Sequence, residues 1–476
     1  MPASYKWKPL EDLPIDTSAL TDSELESLHE VWMDQRDSLA KADVLERFTG
    51  ELHRQWAIET GIIEGAYSLD RGITQALIER GIEAALIPHE PTEKSPELVA
   101  RIIQDHLDTL DGMFDFIRGQ RELTTGYIKE LHASLLRHQE TFTVMDQLGR
   151  EFEKPLEKGA YKTLPNNPTR SDGSVHEYCP PDHVASEMDR MIDLHKKHVS
   201  RGAPTEVQAA WLHHVFTQIH PFADGNGRVA RAIASLIFLK ADWFPLVITR
   251  DDRVKYIEAL EAADWGNLTT LVAMFVQSQR NGVLQATAAA YGVKPPQTVD
   301  EAIGAVRDVL IIRGQTGPKE WAQAKQTAAE IRDSALRRFG EMGQRLWAEI
   351  GAANRAFTFP STRGEGDYYR APVAKIAEEL RYIANTRDYH EWVELGLQGD
   401  RRFQIVVSFH TIGVRYRGFV GVAVFLIEHG TNEPKLASSY VFQINYKESP
   451  SDTQRRFDPW LEAALIKALD LWRQSI

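Results

Sequence analysis

The segment Ile219–Arg231, IHPFADGNGRVAR, decides how the central part of this chain folds. Pro221 disfavours helix at the residue before it, so a helix that arrives from the amino-terminal side should end near His220. Gly225 and Gly227 permit tight backbone conformations that are closed to most residues, and they let N–H groups point inward around an anion. A second helix follows at once, and its positive amino-terminal dipole should face whatever the loop holds.

The charged side chains of this segment predict a polyphosphate site with a divalent cation. Arg228 and Arg231 are three residues apart and should project to roughly the same side of the second helix. Asp224 would repel a phosphate unless a bridging Mg²⁺ lay between them, held by that carboxylate and by phosphate oxygens. A neutral imidazole at His220, beside the reacting phosphate, could accept the proton of an attacking hydroxyl.

The segment resembles the signature of the Fic family, H-P-F-x-[D/E]-G-N-G-R-x-x-R, at every fixed position. The resemblance implies an enzyme that transfers AMP from ATP to a Ser, Thr or Tyr hydroxyl of another protein. It implies that His220 is the general base, that Asp224 is the Mg²⁺ ligand and that Phe222 anchors the loop on the core. The nucleotide-binding residues that it implies are Gly225, Asn226, Gly227, Arg228, Arg231 and Tyr256. For Tyr256, contact with adenine and packing in the core both remain open.

An upstream segment, Thr60-Gly-Ile-Ile-Glu64-Gly65, resembles the inhibitory motif of the same family, [S/T]-x-x-x-E-[G/N]. Thr60 and Glu64 are four residues apart and hence on one helical face, and Gly65 can end the helix in a left-handed cap. If Glu64 pairs with Arg231, that arginine is unavailable to the γ-phosphate. We therefore expect a built-in inhibitor of the activity.

Residues 159–181, GAYKTLPNNPTRSDGSVHEYCPP, change the character of the sequence, because turn formers separate two short strand-compatible runs. We predict a hairpin-like flap here. Fic proteins place a target-docking hairpin at this point, and an open edge would let the target backbone add as a strand. The expected partner is thus a target protein docked on residues 159–181, with self-modification as a further expectation.

The fold class that these patterns predict is mainly α: a Fic-type helical core with a β-hairpin flap, followed by a smaller α+β module. The predicted division is an amino-terminal helical region at 1–95, a catalytic core at 96–280, a linker at 281–299 and an α+β module at 300–476. Within the core we expect helices over residues 184–197, 205–219, 228–241 and 253–277. In the last module we expect helices at 300–312, 320–354 and 459–472, with three strands between the last two of these.

Composition limits the other classes of function. The formal net charge of -13 argues against a nucleic-acid binder with a broad basic face. Apolar runs are too short to span a bilayer, and the amino-terminal residues do not resemble a signal peptide. Because Cys179 is the single cysteine, the fold does not depend on an internal disulfide, and we expect cytoplasmic residence. The sequence leaves open whether the chain forms a homo-oligomer.

Two alternatives to AMP transfer stay open at this point. Some relatives that carry the inhibitory glutamate remove AMP, so the chain could be a deAMPylase or a bifunctional enzyme. It could also be an ATP-responsive regulatory or antitoxin-like binding protein with little turnover. The intact set of signature residues argues against this last alternative.

Overall fold

The computed structural model describes residues 5–39, 44–88, 94–145, 150–169, 173–289, 318–352, 354–380, 382–399, 401–413 and 419–475. Contacts divide the chain into two compact units. Unit 1 comprises Met1–Asp22 and Thr49–Gly282, and unit 2 comprises Ser23–Phe48 and Val283–Ile476. The four-part division predicted from the sequence stays a proposal beside this grouping, and the helix predicted at 300–312 lies outside the described residues.

The fold is mainly helical, with an α+β carboxy-terminal part, as the sequence predicted. The helices are α1 Ser23–Leu39, α2 Val44–Ile63, α3 Arg71–Arg80, α4 Pro96–Arg118, α5 Thr125–Leu135, α6 Pro181–Ser200, α7 Thr205–Ile219, α8 Asn226–Lys240, α9 Arg253–Asp264, α10 Thr269–Ala289, α11 Pro318–Leu346, α12 Arg370–Glu379 and α13 Pro450–Arg473. The strands are β1 Thr141–Met145, β2 Glu151–Pro155, β3 Ser361–Glu365, β4 Ala384–Gln398, β5 Arg402–Ile412, β6 Phe419–Glu428, β7 Lys435–Leu436 and β8 Phe442–Asn445.

Unit 1 is built around α7 and α8, which pack against each other, while α4 and α5 pack on α8. Helix α7 ends at Ile219, and His220 follows with a left-handed backbone, φ 49° and ψ 58°. Gly225, at φ 77°, precedes the first residue of α8. The helix–loop–helix arrangement predicted from Pro221 and the glycines is therefore confirmed. Almost every side chain of α8 is buried, so the loop before it is fixed to the core of the unit.

Two local predictions in unit 1 were wrong in detail. The helix expected over 253–277 is two helices, α9 and α10, separated by a turn in which Gly266 adopts φ 89°. The regular hairpin is β1 paired with β2, and it was not among the elements predicted from the sequence. Within 159–181 the described residues form only an isolated antiparallel bridge, between Thr169 and Val175. The turn formers of this segment shorten the expected hairpin to that bridge.

Unit 2 contains an antiparallel sheet with strand order β3-β4-β5-β6-β7, and β8 also pairs with β6. Alternate residues of the central strands point to opposite faces. On β6, for example, Val422 and Val424 join the core cluster that includes α11 and α13, whereas Ala423 and Phe425 join the cluster that includes α12. Because both faces are covered, β6 is apolar along nearly its whole length.

The predicted boundaries in unit 2 needed correction. Strands β3 and β4 were not predicted, because β4 carries charged residues near its start and alternates poorly. The closing helix begins at Pro450 rather than at Pro459. Ser449 caps it by accepting a hydrogen bond from the Asp452 N–H, and Pro459 lies within the helix. In the part of the chain that the structure describes, no helix combines the length and the apolar character needed to cross a membrane.

Candidate active site

The candidate site is centred on His220, at the junction between α7 and the signature loop. Its Nδ1 lies 3.2 Å from the Thr217 carbonyl oxygen. A carbonyl oxygen can only accept, so Nδ1 carries the proton and Nε2 keeps a free lone pair. Burial lowers the pKa of His220 to about 3, so the imidazole is neutral at pH 7. This tautomer suits a general base that acts through Nε2.

The ring of Tyr178 lies flat on the His220 imidazole. The two ring centroids are 3.8 Å apart and the planes are inclined by only 4°. Tyr178 belongs to the segment 159–181, next to Cys179, whose backbone N–H donates to the Gln218 carbonyl oxygen at 3.1 Å. The end of this segment therefore fixes the orientation of the imidazole.

Asn226 closes the signature loop on itself. Its Oδ1 accepts from the Phe222 N–H at 2.9 Å, and its Nδ2 donates to the Phe222 carbonyl oxygen at 2.8 Å. Phe222 is fully buried, as predicted for the residue that anchors the loop. Because both polar ends of the Asn226 amide are used internally, this residue shapes the loop. The Gly225 N–H is occupied by Asp224 Oδ1 at 2.7 Å.

His132, on α5, packs against the signature loop. Its ring stacks on Phe222 with centroids 3.9 Å apart. Its Nδ1 accepts from the Gly159 N–H at 2.8 Å, so Nε2 carries the proton and donates to the Asp224 carbonyl oxygen at 3.1 Å. Burial lowers the pKa of His132 to about 4, which keeps this neutral tautomer.

Arg228 is a buried cation with unused donors. The residue is 2% exposed, and its Nη2 lies 3.5 Å from Asp224 Oδ2, at the limit of a hydrogen bond. Among the described residues, neither its Nε nor its Nη1 has a hydrogen-bond partner. A buried guanidinium with two unsatisfied nitrogens is costly, and an anion bound at the loop would satisfy them.

Arg231, one helical turn further along α8, is fully paired. Its Nη1 donates to Glu64 Oε1 at 2.9 Å, its Nη2 to the Thr60 carbonyl oxygen at 3.0 Å and its Nε to Thr60 Oγ1 at 3.3 Å. The Arg231 side chain is 1% exposed and that of Glu64 is 24% exposed. The residues of the upstream motif therefore meet the second arginine of the signature.

The position of Glu64 follows from how α2 ends. Gly65 adopts φ 67°, its N–H donates to the Ile62 carbonyl oxygen, and the Ala66 N–H donates to the Gly61 carbonyl oxygen. This pattern is a Schellman cap, and it confirms the left-handed glycine predicted at 65. The cap ends α2 at Ile63 and leaves the side chain of Glu64 beside Arg231.

Asp224 is the candidate metal ligand. Its carboxylate is 38% exposed, and Oδ2 accepts from Gln139 Nε2 at 2.6 Å. The described residues contain no group of three or more His, Cys, Asp or Glu side chains arranged to hold a metal ion. Such a donor set fits Mg²⁺ bound mainly through phosphate oxygens and water, since Mg²⁺ commonly uses one or two carboxylates. A metal held by the protein alone does not fit.

Residues 122–238 match the model of the Fic/DOC family. This part of the chain is a Fic domain. The curated relatives include protein adenylyltransferase fic-1 of Caenorhabditis elegans, 25% identical over 264 residues that cover 54% of this chain and 45% of the relative. Protein adenylyltransferase Fic of Nematostella vectensis is 30% identical over 151 residues, which cover 30% of this chain and 34% of the relative. The chain thus spans less than half the length of these relatives.

Solved structures of Fic proteins are also similar. The Fic domain containing signaling protein from Bacteroides thetaiotaomicron is 21% identical, with a TM-score of 0.44, and the match covers 56% of this chain and 97% of that one.

Tyr256 lies just beyond the matched Fic domain and is 3% exposed. Its hydroxyl is 2.8 Å from His213 Nε2, and its ring also packs edge-on against that imidazole. In this conformation the ring is enclosed on α9. Of the two alternatives left open by the sequence, this placement favours packing in the core over contact with adenine.

Several residues that shape the Fic domain site were missed from the sequence. They are His132, Gln139, Lys162, Asn166 and Tyr178. Each acts through a long-range contact to the loop, and none has a helical or strand spacing that distinguishes it from its neighbours. The aromatic and polar residues clustered in GAYKTLPNN offered the only local signal.

Proposed function

We propose that this chain transfers AMP from Mg-ATP to a Ser, Thr or Tyr hydroxyl of a target protein, and that Glu64 inhibits the transfer. The observation that carries the proposal is the buried guanidinium of Arg228, with two unpaired nitrogens beside a glycine-lined loop and a neutral His220. The names of the relatives, which are protein adenylyltransferases, support the same reaction.

The roles of the loop residues follow from charge and reach. The triphosphate would lie over the loop at the amino terminus of α8, where the helix dipole favours anions. Arg228 would bind phosphate oxygens through its free nitrogens, and Arg231 would contribute once Glu64 leaves it. Asp224 would hold the Mg²⁺, which supplies further neutralisation of phosphate charge when bound.

The transfer itself is a substitution at the α-phosphorus. The target hydroxyl oxygen forms a bond to that phosphorus, while the bond to the oxygen that bridges the α- and β-phosphates breaks and pyrophosphate leaves. His220 Nε2 takes the hydroxyl proton. The loop, preorganised by Asn226 and by His132, adds no reorganisation cost at this moment.

The inhibitory role of Glu64 rests on competition for one cation. While its carboxylate pairs with Arg231, negative charge occupies the space needed by the terminal phosphates. ATP would then bind weakly, or with its α-phosphate turned away from the attacking hydroxyl. A partly exposed pair of this kind can separate when a partner or a competing anion engages either member.

We place the target protein on residues 159–181. The bridge from Thr169 to Val175 gives this segment a short antiparallel edge, and the same segment ends at Tyr178, on the His220 ring. An extended stretch of the target could pair with that edge. Its hydroxyl would then lie close to the imidazole.

The test is a comparison of three forms of the full chain. Wild type, Glu64→Gly and Glu64→Gly/His220→Ala are incubated with Mg-ATP and a cell extract, and added AMP is sought by mass spectrometry. The proposal expects strong labelling with Glu64→Gly and none with the double variant, although the latter still binds ATP. Labelling that persists without His220, or is absent from Glu64→Gly, contradicts the proposal.

A second candidate is removal of AMP from a modified protein, alone or together with transfer. It is favoured by the carboxylate of Glu64, which is 24% exposed beside the loop and could activate a water. A purified AMP-bearing target, incubated with wild type and with Glu64→Gly, separates the two reactions. If the chain removes AMP, the target should lose its AMP with wild type and keep it with Glu64→Gly.

A further inference from the structure

The backbone of His220 is in a conformation that its own side chain disfavours. A left-handed backbone, here φ 49° and ψ 58°, brings Cβ close to the following carbonyl in residues other than glycine. Such a conformation persists only where the surroundings impose it. Because the direction of the imidazole depends on this backbone, whatever imposes it also positions the proposed base.

Lys162 contacts the chain on both sides of His220. Its backbone N–H donates to the Pro221 carbonyl oxygen at 2.8 Å, and its Nζ donates to the Ile219 carbonyl oxygen at 3.3 Å. These two carbonyls flank the strained residue. The Ile219 carbonyl belongs to the peptide group that precedes His220, and the Pro221 carbonyl to the peptide group after Pro221, so Lys162 holds the chain on both sides of the strained residue.

Asn166 extends this support to the next residue. Its Oδ1 accepts from Lys162 Nζ at 2.7 Å, and its Nδ2 donates to the Phe222 carbonyl oxygen at 2.8 Å. Lys162 and Asn166 thus hold three carbonyls within four residues of the chain, at positions 219, 221 and 222. An exposed lysine that met the loop by chance would not show this regular set of contacts.

The ammonium of Lys162 is held inside the protein. The residue is 6% exposed, and burial lowers its pKa to about 8, so it stays largely charged at neutral pH. Its Nζ also lies 5.8 Å from the centroid of the Tyr178 ring that covers His220. Besides Lys162, the charged or titratable groups that act on His220 are Asp224 and His176.

We propose that Lys162 is a positioning residue for His220, acting with Asn166 to hold the strained backbone that aims the imidazole at the reacting phosphorus. This inference rests on the proposed AMP transfer and adds to it a residue outside the signature. Lys162 touches neither the nucleotide nor the hydroxyl in this scheme. Its loss should therefore affect the chemical step more than the binding of ATP.

The kinetic test uses the Glu64→Gly background, in which transfer is released from inhibition. We expect Lys162→Met to lower kcat about 10- to 100-fold while KM for ATP changes less than about 3-fold, because misplacing a catalytic group affects the transition state. Lys162→Arg, which keeps a cationic donor, should recover most of kcat. Asn166→Ala should give a smaller loss in the same direction.

The control is Lys196→Met, which removes an equal charge from an exposed side chain 53% open to solvent. It should leave kcat and KM unchanged. A kcat for Lys162→Met equal to that of Lys196→Met would overturn the proposal. So would a parallel loss of kcat, ATP binding and thermal stability that Lys162→Arg fails to restore.

A second measurement does not depend on activity. The Cε1–H resonance of His220, assigned by its disappearance in His220→Asn, should be sharp in wild type and in Lys162→Arg and should shift or broaden in Lys162→Met. If Glu64→Gly transfers no AMP, the proposed function fails, yet this resonance still decides the role of Lys162. An unchanged resonance in Lys162→Met contradicts the positioning role.

Discussion

The carboxylate of Glu64 lies directly against Gly227, so that a Cβ atom added at position 227 would be 2.3 Å from Glu64 Oε1. The same oxygen accepts the hydrogen bond of Arg231. The Glu64 carboxylate thus lies against the glycine loop and forms an ion pair with one of the two arginines of α8. A phosphate group and this carboxylate would compete for the same positive charge.

The strength of inhibition should follow the charge on residue 64. Glu64→Gln keeps a hydrogen bond from Arg231 but loses the ion pair, and the remaining hydrogen bond is worth roughly 1 kcal/mol less than the ion pair. AMP transfer should therefore rise about 5-fold in Glu64→Gln and further in Glu64→Gly, as measured by initial rates with labelled ATP. Glu79→Gln, at an exposed site on α3, should have the wild-type rate. Equal rates for Glu64→Gln and wild type would contradict charge competition.

The two buried arginines of α8 should respond to substitution in opposite ways. Arg228→Met removes a guanidinium with unpaired nitrogens and should raise the free energy of unfolding by about 1–3 kcal/mol. Arg231→Met removes a guanidinium whose nitrogens are all hydrogen-bonded and leaves Glu64 without its cationic partner. This variant should therefore lower the free energy of unfolding by a similar amount. Chemical denaturation of the nucleotide-free chain measures both effects.

Binding should not follow stability in these variants. Calorimetry in the Glu64→Gly background should show that Arg228→Met loses ATP affinity by at least about 10-fold despite its greater stability, since a phosphate partner is gone. If Arg228→Met and Arg231→Met destabilise the protein equally, Arg228 has partners that satisfy it and the phosphate argument fails.

His132 should matter to the loop through its two nitrogens. His132→Phe keeps a ring on Phe222 but leaves the Gly159 N–H and the Asp224 carbonyl oxygen without their partner. We expect the free energy of unfolding to fall by about 2 kcal/mol and AMP transfer to fall with it. His132→Gln can restore one of the two bonds and should lie between wild type and His132→Phe. Wild-type transfer by His132→Phe would show that stacking alone supports the loop.

How much of this could be predicted depends on whether the determining contacts are local. The end of α7, the glycine loop and the start of α8 follow from Pro221, Gly225 and the apolar spacing, all within a few residues. The Schellman cap at Gly65 is equally local. The pairing of Glu64 with Arg231 joins residues 167 positions apart, and only the family resemblance suggested it.

The rest depended on long-range contacts that spacing does not encode. Strand β4 gains its place from pairing with β3 and β5, although its own sequence is rich in charge. Strand β1 alternates Phe142 and Val144 with threonines, but it is only five residues long and β2 adds only Phe152 as a large apolar residue, which is too short a pattern to predict a hairpin. His132 and Lys162 fix the loop through backbone carbonyls, which carry no mark in the sequence.

A chain of buried polar side chains in the sheet of unit 2 predicts sensitivity to acid. Tyr382 O–H donates to His410 Nε2 at 2.7 Å, His410 Nδ1–H donates to Ser408 Oγ at 3.1 Å, and Ser408 lies 3.2 Å from His390 Nε2. His390 Nδ1–H donates in turn to the Gly366 carbonyl oxygen. Every partner is satisfied only while both imidazoles are neutral.

Burial lowers the pKa of His410 to about 3, below the value of about 6.5 for an unfolded histidine. The unfolded state therefore takes up a proton first as pH falls, and stability is lost below pH 6.5 until the folded pKa is reached. From pH 7 to pH 5 this one group should cost about 2 kcal/mol. Hydrogen exchange of the β5 amides reports the loss within unit 2.

The matched variant is His410→Gln, which can accept from Tyr382 and takes up no proton. Protection of β5 should fall less steeply with acid in His410→Gln than in wild type, by about 2 kcal/mol between pH 7 and pH 5. His429→Gln, at an exposed position after β6, should keep the wild-type slope. Identical slopes in all three proteins would mean that the buried imidazole does not control the acid response, because linkage requires the slope to drop when a group with a lowered pKa is removed.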